Sequence, residues 1–220
     1  MSQESERYIP ALRFRWLTPF YDPVLRWGMR EGGFKRSLVE QMALRPGMCV
    51  LDLGCGTGTL TIMIKQLHPD VEVTGIDGDP EVLAIAHDKA ARAGVSIQWD
   101  SGLAYHLPYA DNSFDRVVSS LVIHHLTMPN KQRTFLEVLR VLRPGGELHI
   151  LDFGKPYNLY TRLVAAVIRH FEETAEQLDG RLPEMLASSG FIELDEIRHF
   201  TTVFGPLAAL KAAKPAGVGK

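Results

Sequence analysis

Short apolar runs alternate with longer amphipathic segments along this chain. One apolar run from Val50 ends in glycines at every second position, and apolar residues then recur at helical spacing from Thr59 to Leu67. Glycine has no Cβ and tolerates a positive φ, so Gly54, Gly56 and Gly58 suit a tight turn that another group approaches closely. The pattern predicts a buried strand, a glycine turn and a helix, with a nucleotide-type ligand over the helix N-terminus.

A second short strand follows, with alternating residues from Val71 to Asp77. In a βαβ unit, a carboxylate at the end of this strand accepts hydrogen bonds from ribose hydroxyls. Asp79 and Pro80 are typical of the residues that begin a helix, as the N-cap and the first helical residue. The apolar face of that helix is predicted to consist of Val82, Leu83, Ala86 and Ala90.

The glycine spacing distinguishes between possible ligands. Dinucleotide-binding turns follow the pattern G-x-G-x-x-G/A, whereas this chain has G-x-G-x-G and then Thr59. Asp52, just before the turn, would repel a phosphate. A carboxylate at that position suits a cationic ligand, such as one with an amino group or a sulfonium.

These residues together resemble a known site. Asp52-x-Gly54-x-Gly56-x-Gly58, followed by Gly75-Ile76-Asp77, is similar to the S-adenosylmethionine site of class I methyltransferases. In that family the glycine turn lies against the amino acid part of the cofactor, and the acid after the second strand binds the ribose. The resemblance implies that this chain binds S-adenosylmethionine in the same way.

The resemblance extends from about residue 15 to residue 213. It implies an α/β fold: a doubly wound, Rossmann-like, seven-stranded sheet, mostly parallel with an antiparallel C-terminal hairpin, and helices on both faces. Matching segments are Leu107–Tyr109 with Asp111–Asp115 before a fourth strand at 116–121, Leu142–Gly146 as a turn before a fifth strand at 147–153, and hairpin strands at 193–203 and 205–213.

The cofactor residues implied by the resemblance include one departure. Relatives usually carry Gly-Asp-Ala before the "LP" segment, with the Asp holding the adenine amino group, whereas this chain has Leu103 at that position. Leu103 would instead pack on the adenine, and backbone groups near Ala104 would contact its edge. Asp100, the nearest carboxylate, is out of register and is expected to be solvated. The full predicted cofactor set is Asp52, Gly54, Cys55, Gly56, Gly58, Asp77, Gly78, Leu103, Ala104 and Ser119.

Composition favours one domain of 220 residues, 45% of them hydrophobic. We predict an N-terminal helical lid at 1–45, a cofactor-binding core at 46–155, a helical acceptor-side insertion at 156–190 and a hairpin at 191–214. The net charge of −2 gives no electrostatic basis for binding nucleic acid. Two cysteines around one strand suggest free thiols, and no apolar signal core begins the chain, so we expect a cytoplasmic protein.

The N-terminal region from Tyr8 to Phe34 interleaves aromatic residues with arginines. Two interpretations are open: a lid over the methyl-transfer site that also touches lipid, a membrane surface or a hydrophobic substrate, or a pair of packing helices with solvated arginines. Phe20-Tyr21-Asp22 resembles the "YD" segment of the ubiquinone/menaquinone C-methyltransferase branch. That resemblance implies that Tyr21 reaches toward the cofactor.

Two adjacent histidines follow the fourth strand, at the sheet edge where open α/β folds bind ligands. His124 or His125 could take a proton from an acceptor. The alternative, favoured for His124, is that the residue only packs on the cofactor, as is common in the family. Adjacent side chains are expected to point in different directions, so that at most one faces the acceptor. We predict no metal site, because no further ligand appears at suitable spacing nearby.

The insertion after the fifth strand has apolar residues at helical spacing, namely Leu159, Leu163, Val167 and Phe171. These are expected to face the core, while Tyr157 and Tyr160 are the better candidates for an acceptor pocket.

Several classes of methyl acceptor can be excluded. Two cysteines cannot form the thiolate site that arsenite methylation needs, and no basic groove suggests a nucleic acid or protein substrate. A small-molecule or lipid-like acceptor remains: a quinone precursor, a phospholipid head group or a specialised metabolite. A second hypothesis, motivated by Leu103, is a regulatory or partner subunit that binds S-adenosylmethionine without transferring its methyl group. The sequence does not indicate the oligomeric state.

Overall fold

The computed structural model describes residues 31–168, 178–203 and 205–217. The helices are α1 (Glu31–Gln41), α2 (Thr59–Leu67), α3 (Pro80–Ala93), α4 (Met128–Val141), α5 (Leu159–Ile168) and α6 (Leu182–Ser188), with a 3-10 turn at Ile123–His125. The strands are β1 (Cys49–Leu53), β2 (Glu72–Asp77), β3 (Gln98–Ser101), β4 (Phe114–Ser120), β5 (Leu142–Phe153), β6 (Ile192–Thr202) and β7 (Gly205–Ala213). Tyr21 and most of the predicted lid lie outside the described residues.

All seven strands form one sheet, in the order β3-β2-β1-β4-β5-β7-β6. The first five strands in that order are parallel, and β7 runs antiparallel between β5 and β6. The predicted doubly wound sheet with its C-terminal hairpin is confirmed. The strand order reverses between β1 and β4, and ligands of open α/β sheets bind in the crevice outside the carboxyl ends of the strands at such a point.

Buried side chains alternate between the two faces of the sheet, as a pleated strand requires. One apolar cluster joins Leu51 and Val117 to Phe135 of α4. The neighbouring residues Val50 and Val118 point to the other face, where α1, α2 and α5 cover them. The described end of the predicted lid, α1, therefore packs on the sheet.

The predicted core-facing residues of α5 face the solvent instead. Leu159 is 74% exposed and Leu163 is 63% exposed, while Thr161 and Ala165 are buried. The capping of the helix explains this rotation. Asn158 Oδ1 accepts from Thr161 N at 2.8 Å, and Thr161 Oγ1 accepts from the backbone N of Asn158 at 3.0 Å. These bonds place Thr161, and Ala165 one turn later, toward the sheet. Side chains beyond Ala166 on this helix lie outside the described residues.

The predicted turn before the fifth strand is a bulge within it. Leu142 pairs with Phe114 and Glu147 pairs with Arg116, so the intervening residues of β5 loop out of register. Lys214 fastens this bulge, because its backbone N donates to Gly146 O at 2.9 Å.

Candidate functional site

The glycine turn between β1 and α2 has three residues with positive φ: Gly54 at 69°, Gly56 at 53° and Gly58 at 74°. A Cβ on Gly54 would lie 2.6 Å from the methyl carbons of Val122, and a Cβ on Gly58 would lie 2.6 Å from the Trp99 ring. A Cβ on Gly56 would meet nothing within 4 Å. Two of the glycines therefore make room for protein side chains, and only Gly56 presents its backbone to open space.

Trp99 and Lys89 support the turn, and sequence reasoning missed both. The Trp99 ring crosses β2 as well, where a Cβ on Gly75 would lie 2.5 Å from it. Lys89 of α3 donates to Thr57 Oγ1 at 3.1 Å and to Thr59 Oγ1 at 2.8 Å. The sequence did contain one indication of a bulky side chain here. Residues 58 and 75 are both glycine, and glycine permits close approach of a large ring such as Trp99.

Asp77 ends β2 directly beside the turn. Its Oδ2 accepts from Gly56 N at 2.8 Å, and its Oδ1 accepts from Asp79 N at 3.0 Å. Burial raises the pKa of this carboxyl against these backbone hydrogen bonds. The backbone N–H of Gly78 also hydrogen-bonds this carboxyl, and because a carboxylate has about four lone-pair sites, Asp77 can still accept one hydroxyl. Asp77 and the adjoining Gly78 thus fit the predicted ribose site. Asp79 also caps α3 as predicted, by accepting from Glu81 N at 2.8 Å.

Asp52 lies beneath the turn. Its side chain is buried, and Oδ2 accepts from Thr61 Oγ1 at 2.6 Å. Burial raises the pKa of Asp52 to about 6, against the Thr61 hydrogen bond and the positive charge of Lys35. Its negative charge can act on a cationic ligand through space.

Cys55 and Ser119 are two further residues of the predicted cofactor set. Both are buried, and burial raises the pKa of the Cys55 thiol far above its usual range, so the thiol is neutral. Ser119 lies near the end of β4, next to β1, and Ser120 follows it. Within the part of the chain that the structure describes, neither serine Oγ has a hydrogen-bond partner. A buried hydroxyl without a partner at this edge fits a bound polar ligand.

The expectation that Asp100, near the predicted adenine contacts, is only solvated is wrong. That carboxylate is not merely solvated, because Tyr109 Oη donates to its Oδ2 at 2.9 Å. Leu103 and Ala104 are half-buried, and Leu103 O accepts from His106 N at 3.0 Å. Gln98 Nε2 also donates to Asp100 Oδ2 at 2.9 Å, so this carboxylate oxygen accepts two side-chain hydrogen bonds.

His124 forms a buried polar pair with Asp152. Its Nδ1 lies 2.7 Å from Asp152 Oδ1, and its backbone N lies 3.3 Å from Asp152 Oδ2. Burial acts to raise the pKa of Asp152, but His124 and the backbone N–H of Phe153 outweigh it, so the pKa is lowered. An ionised Asp152 holds the hydrogen of His124 on Nδ1, which makes Nε2 the ring nitrogen that can accept a proton.

His125 lies against His124, with ring centroids 3.9 Å apart and a tilt of 45°. The expectation that the two side chains point in different directions is therefore wrong. A 3-10 turn separates consecutive residues by about 120°, but both rings fold to one side, where Phe153 meets His124 edge-on at 4.8 Å. Burial, and then the charge of His124, lower the pKa of His125 to about 3. His125 is neutral near pH 7.

Leu121 joins β4 to the histidine turn with a φ of 60°. A bulky residue in this region costs on the order of 1–3 kcal/mol, and such strain clusters at functional sites. Its backbone N donates to Leu151 O at 2.8 Å, which fixes the conformation.

Asp152 was not among the predicted site residues. It follows an apolar run at the carboxyl end of β5, so the reasoning that located Asp77 could have found it. The predicted pocket tyrosines contact β6 and the turn after it. Tyr157 Oη lies 2.5 Å from Thr201 Oγ1, and Tyr160 Oη donates to Val203 O at 3.2 Å.

Two further features concern only the described residues. No cluster of three or more His, Cys, Asp or Glu side chains among them has a geometry that could hold a metal ion. No helix within the same ranges is both long and apolar enough to span a bilayer.

The sequence is similar to those of known methyltransferases. Residues 50–146 match a family described as "Methyltransferase domain". A demethylmenaquinone methyltransferase of Listeria monocytogenes serotype 4a is 29% identical over 189 residues, covering 76% of this chain and 79% of the relative. The demethylmenaquinone methyltransferase of Deinococcus radiodurans is 36% identical over 146 residues, covering 65% of this chain and 59% of the relative.

Solved structures agree on the fold. A SAM-dependent methyltransferase from Methanosarcina mazei superposes with a TM-score of 0.67 at 22% identity, covering 81% of this chain and 97% of that protein. Three observations support the same function, methyl transfer from S-adenosylmethionine. They are the sheet order, the glycine turn with its open Gly56 and the sequence similarities. The chain contains a methyltransferase domain on a fold like that of class I methyltransferases and is an S-adenosylmethionine-dependent enzyme, and the relatives named above are demethylmenaquinone methyltransferases.

Proposed function

We propose that this enzyme methylates a small hydroxyaromatic acceptor, a quinone precursor or a related phenolic metabolite, and that His124 removes the acceptor's proton. The observation that carries the proposal is the buried contact of 2.7 Å between His124 Nδ1 and Asp152 Oδ1. A phenol hydroxyl or a ring carbon beside one must lose a proton on methylation. A neutral amine head group needs no such base, so the pair favours the aromatic class.

The chain's residues would orient the cofactor and the acceptor, and would accept the acceptor's proton. When bound, S-adenosylmethionine would supply a methyl group on a cationic sulfur. The acceptor atom would attack the methyl carbon in line, and the sulfur would leave with the electrons of the broken bond. His124 Nε2 accepts the acceptor's proton, and the negative charge of Asp152 stabilises the resulting imidazolium. Alignment alone can contribute about 7–11 kcal/mol, and a positioned base adds roughly 10²–10⁴-fold.

The cofactor contacts are part of the proposal. Gly56 would offer its backbone to the amino acid part, Asp77 would bind the ribose, and Ser119 would donate its hydroxyl. Leu103 would pack on the adenine. Tyr21 is proposed to contact the cofactor on the Phe20-Tyr21-Asp22 resemblance alone.

The relatives' names bear on the acceptor. Both are called demethylmenaquinone methyltransferases. A quinol carries a hydroxyl whose deprotonation activates the neighbouring ring carbon, which is a task suited to His124. Among the open acceptors, a quinone precursor therefore fits best.

Conservative variants test the base. With quinols as acceptors, we expect His124→Gln and Asp152→Asn each to lower kcat by about 10²–10⁴-fold, with affinity for S-adenosylmethionine nearly unchanged. The exposed His87→Gln serves as a matched control that leaves both quantities unchanged.

Two outcomes would contradict the proposal. Equal losses of turnover and cofactor affinity would mean that His124 only packs against the cofactor. Cofactor binding without turnover of any quinol, phenol or phospholipid would favour a binding subunit.

A further inference from the structure

The outer face of α5 and the adjoining end of β6 expose a contiguous set of apolar and aromatic side chains. Leu159 and Leu163, one turn apart, are the two most exposed large hydrophobic residues among those that the structure describes. Tyr160 beside them is 45% exposed and donates to the backbone of Val203, which is itself 56% exposed. We call Tyr157, Leu159, Tyr160, Leu163 and Val203 the α5 surface. Single exposed apolar residues are ordinary, but a contiguous patch marks an interaction site.

The charged side chains on α5 and in the segment just before it are positive. Arg162 lies between Leu159 and Leu163 in sequence, and Lys155 lies just before the helix. Both side chains are exposed. The described residues of α5 include no acid. Exposed leucines and tyrosines accompanied by Lys and Arg are typical of segments that lie in the interfacial plane of an anionic bilayer.

The opposite side of α5 leads toward the histidine pair. Ala165 belongs to the same buried cluster as Phe153 of β5. The ring of Phe153 meets His124 edge-on, with centroids 4.8 Å apart. The buried face of α5 and the ring that contacts His124 thus belong to one apolar cluster.

We propose that the α5 surface rests on an anionic lipid bilayer, and that the methyl acceptor is an amphiphile that passes from the bilayer to the site beside α5. The amphiphilic acceptor rests on the proposed function; the bilayer contact does not. A second copy of the chain is the less suitable occupant. A two-fold interface would bring two copies of the same positively charged surface together, where like charges repel.

Sedimentation with vesicles tests the contact. The vesicles contain phosphatidylcholine and phosphatidylglycerol at about three to one, with pure phosphatidylcholine for comparison. We expect the wild type to partition onto the anionic vesicles, and the Leu159→Ser/Leu163→Ser double variant to partition about tenfold less. Leu136→Ser is the matched control, because Leu136 is 55% exposed on α4, which packs on the other face of the sheet. Arg162→Gln should weaken binding to the anionic vesicles alone.

Activity with two acceptors separates this proposal from the proposed function. All variants should methylate a tail-less naphthohydroquinone at the wild-type rate, while the double variant should be slower on a prenylated one delivered in vesicles. No partitioning of the wild type, or equal partitioning of the double variant, would overturn the bilayer contact. Light scattering that shows a dimer dissociated by the double variant would assign the surface to a second copy and also overturn it. Failure of the proposed function would appear instead as no methylation of the tail-less quinol by any form.

Discussion

Single residues in this site serve opposite requirements of stability and function. Asp52 is the clearest case, because its carboxylate is buried under the turn and its pKa is raised to about 6. Ionisation of this group near neutral pH is therefore unfavourable for folding but favourable for holding a cationic ligand. Leu121, with its positive φ at the end of β4, is a second residue whose conformation is costly.

Asp52→Asn should separate the two requirements. A carboxyl whose pKa is raised on folding binds its proton more tightly in the folded state, so wild-type stability falls as the pH rises from about 4 through 6. The variant lacks this titration. Its melting temperature should match the wild type near pH 4 and exceed it near pH 7, by the equivalent of about 1–3 kcal/mol. Its affinity for S-adenosylmethionine should be weaker at pH 7. A pH-independent difference in melting temperature would disprove this role.

At the scale of elements, local sequence predicted most of the strands and helices but not how each is turned or paired. The glycine turn and the N-cap of α3 depend on neighbours in sequence, and the structure confirms them. The rotation of α5 depends on hydrogen bonds between Asn158 and Thr161 that outweigh its apolar spacing. The pairing of His124 with Asp152 depends on the strand order, which brings the ends of β4 and β5 together.

Two substitutions on α5 test its orientation. Thr161→Ala removes the acceptor for the backbone N–H groups of Tyr157 and Asn158, and it should lower the free energy of unfolding by about 1–2 kcal/mol. Leu163→Ser should change it by no more than about 0.5 kcal/mol, because the side chain is exposed. Urea unfolding of the two variants measures both effects. A larger loss for Leu163→Ser would restore the core-facing assignment.

At the scale of the whole molecule, the sheet brings distant segments to one edge. Gly56 after β1, Asp77 at the end of β2, Ser119 in β4 and Asp152 in β5 all lie at carboxyl ends of parallel strands. The sequence indicated the first three through the family pattern. Trp99 could not be predicted in the same way, since its packing across two glycines depends on the register of β2 and β3.

The most direct test is a calorimetric titration of S-adenosylmethionine into the wild type, Gly56→Val and Gly47→Val. Gly47 is the matched control, because it also has a positive φ, 79°, with nothing within 4 Å of an added Cβ. Both variants bear the same kind of backbone strain, but only Gly56→Val would place a side chain on the open side of the turn. We expect saturable binding by the wild type and by Gly47→Val, and none by Gly56→Val. Unchanged binding by Gly56→Val, or no binding by the wild type, would contradict the placement of the cofactor at this turn.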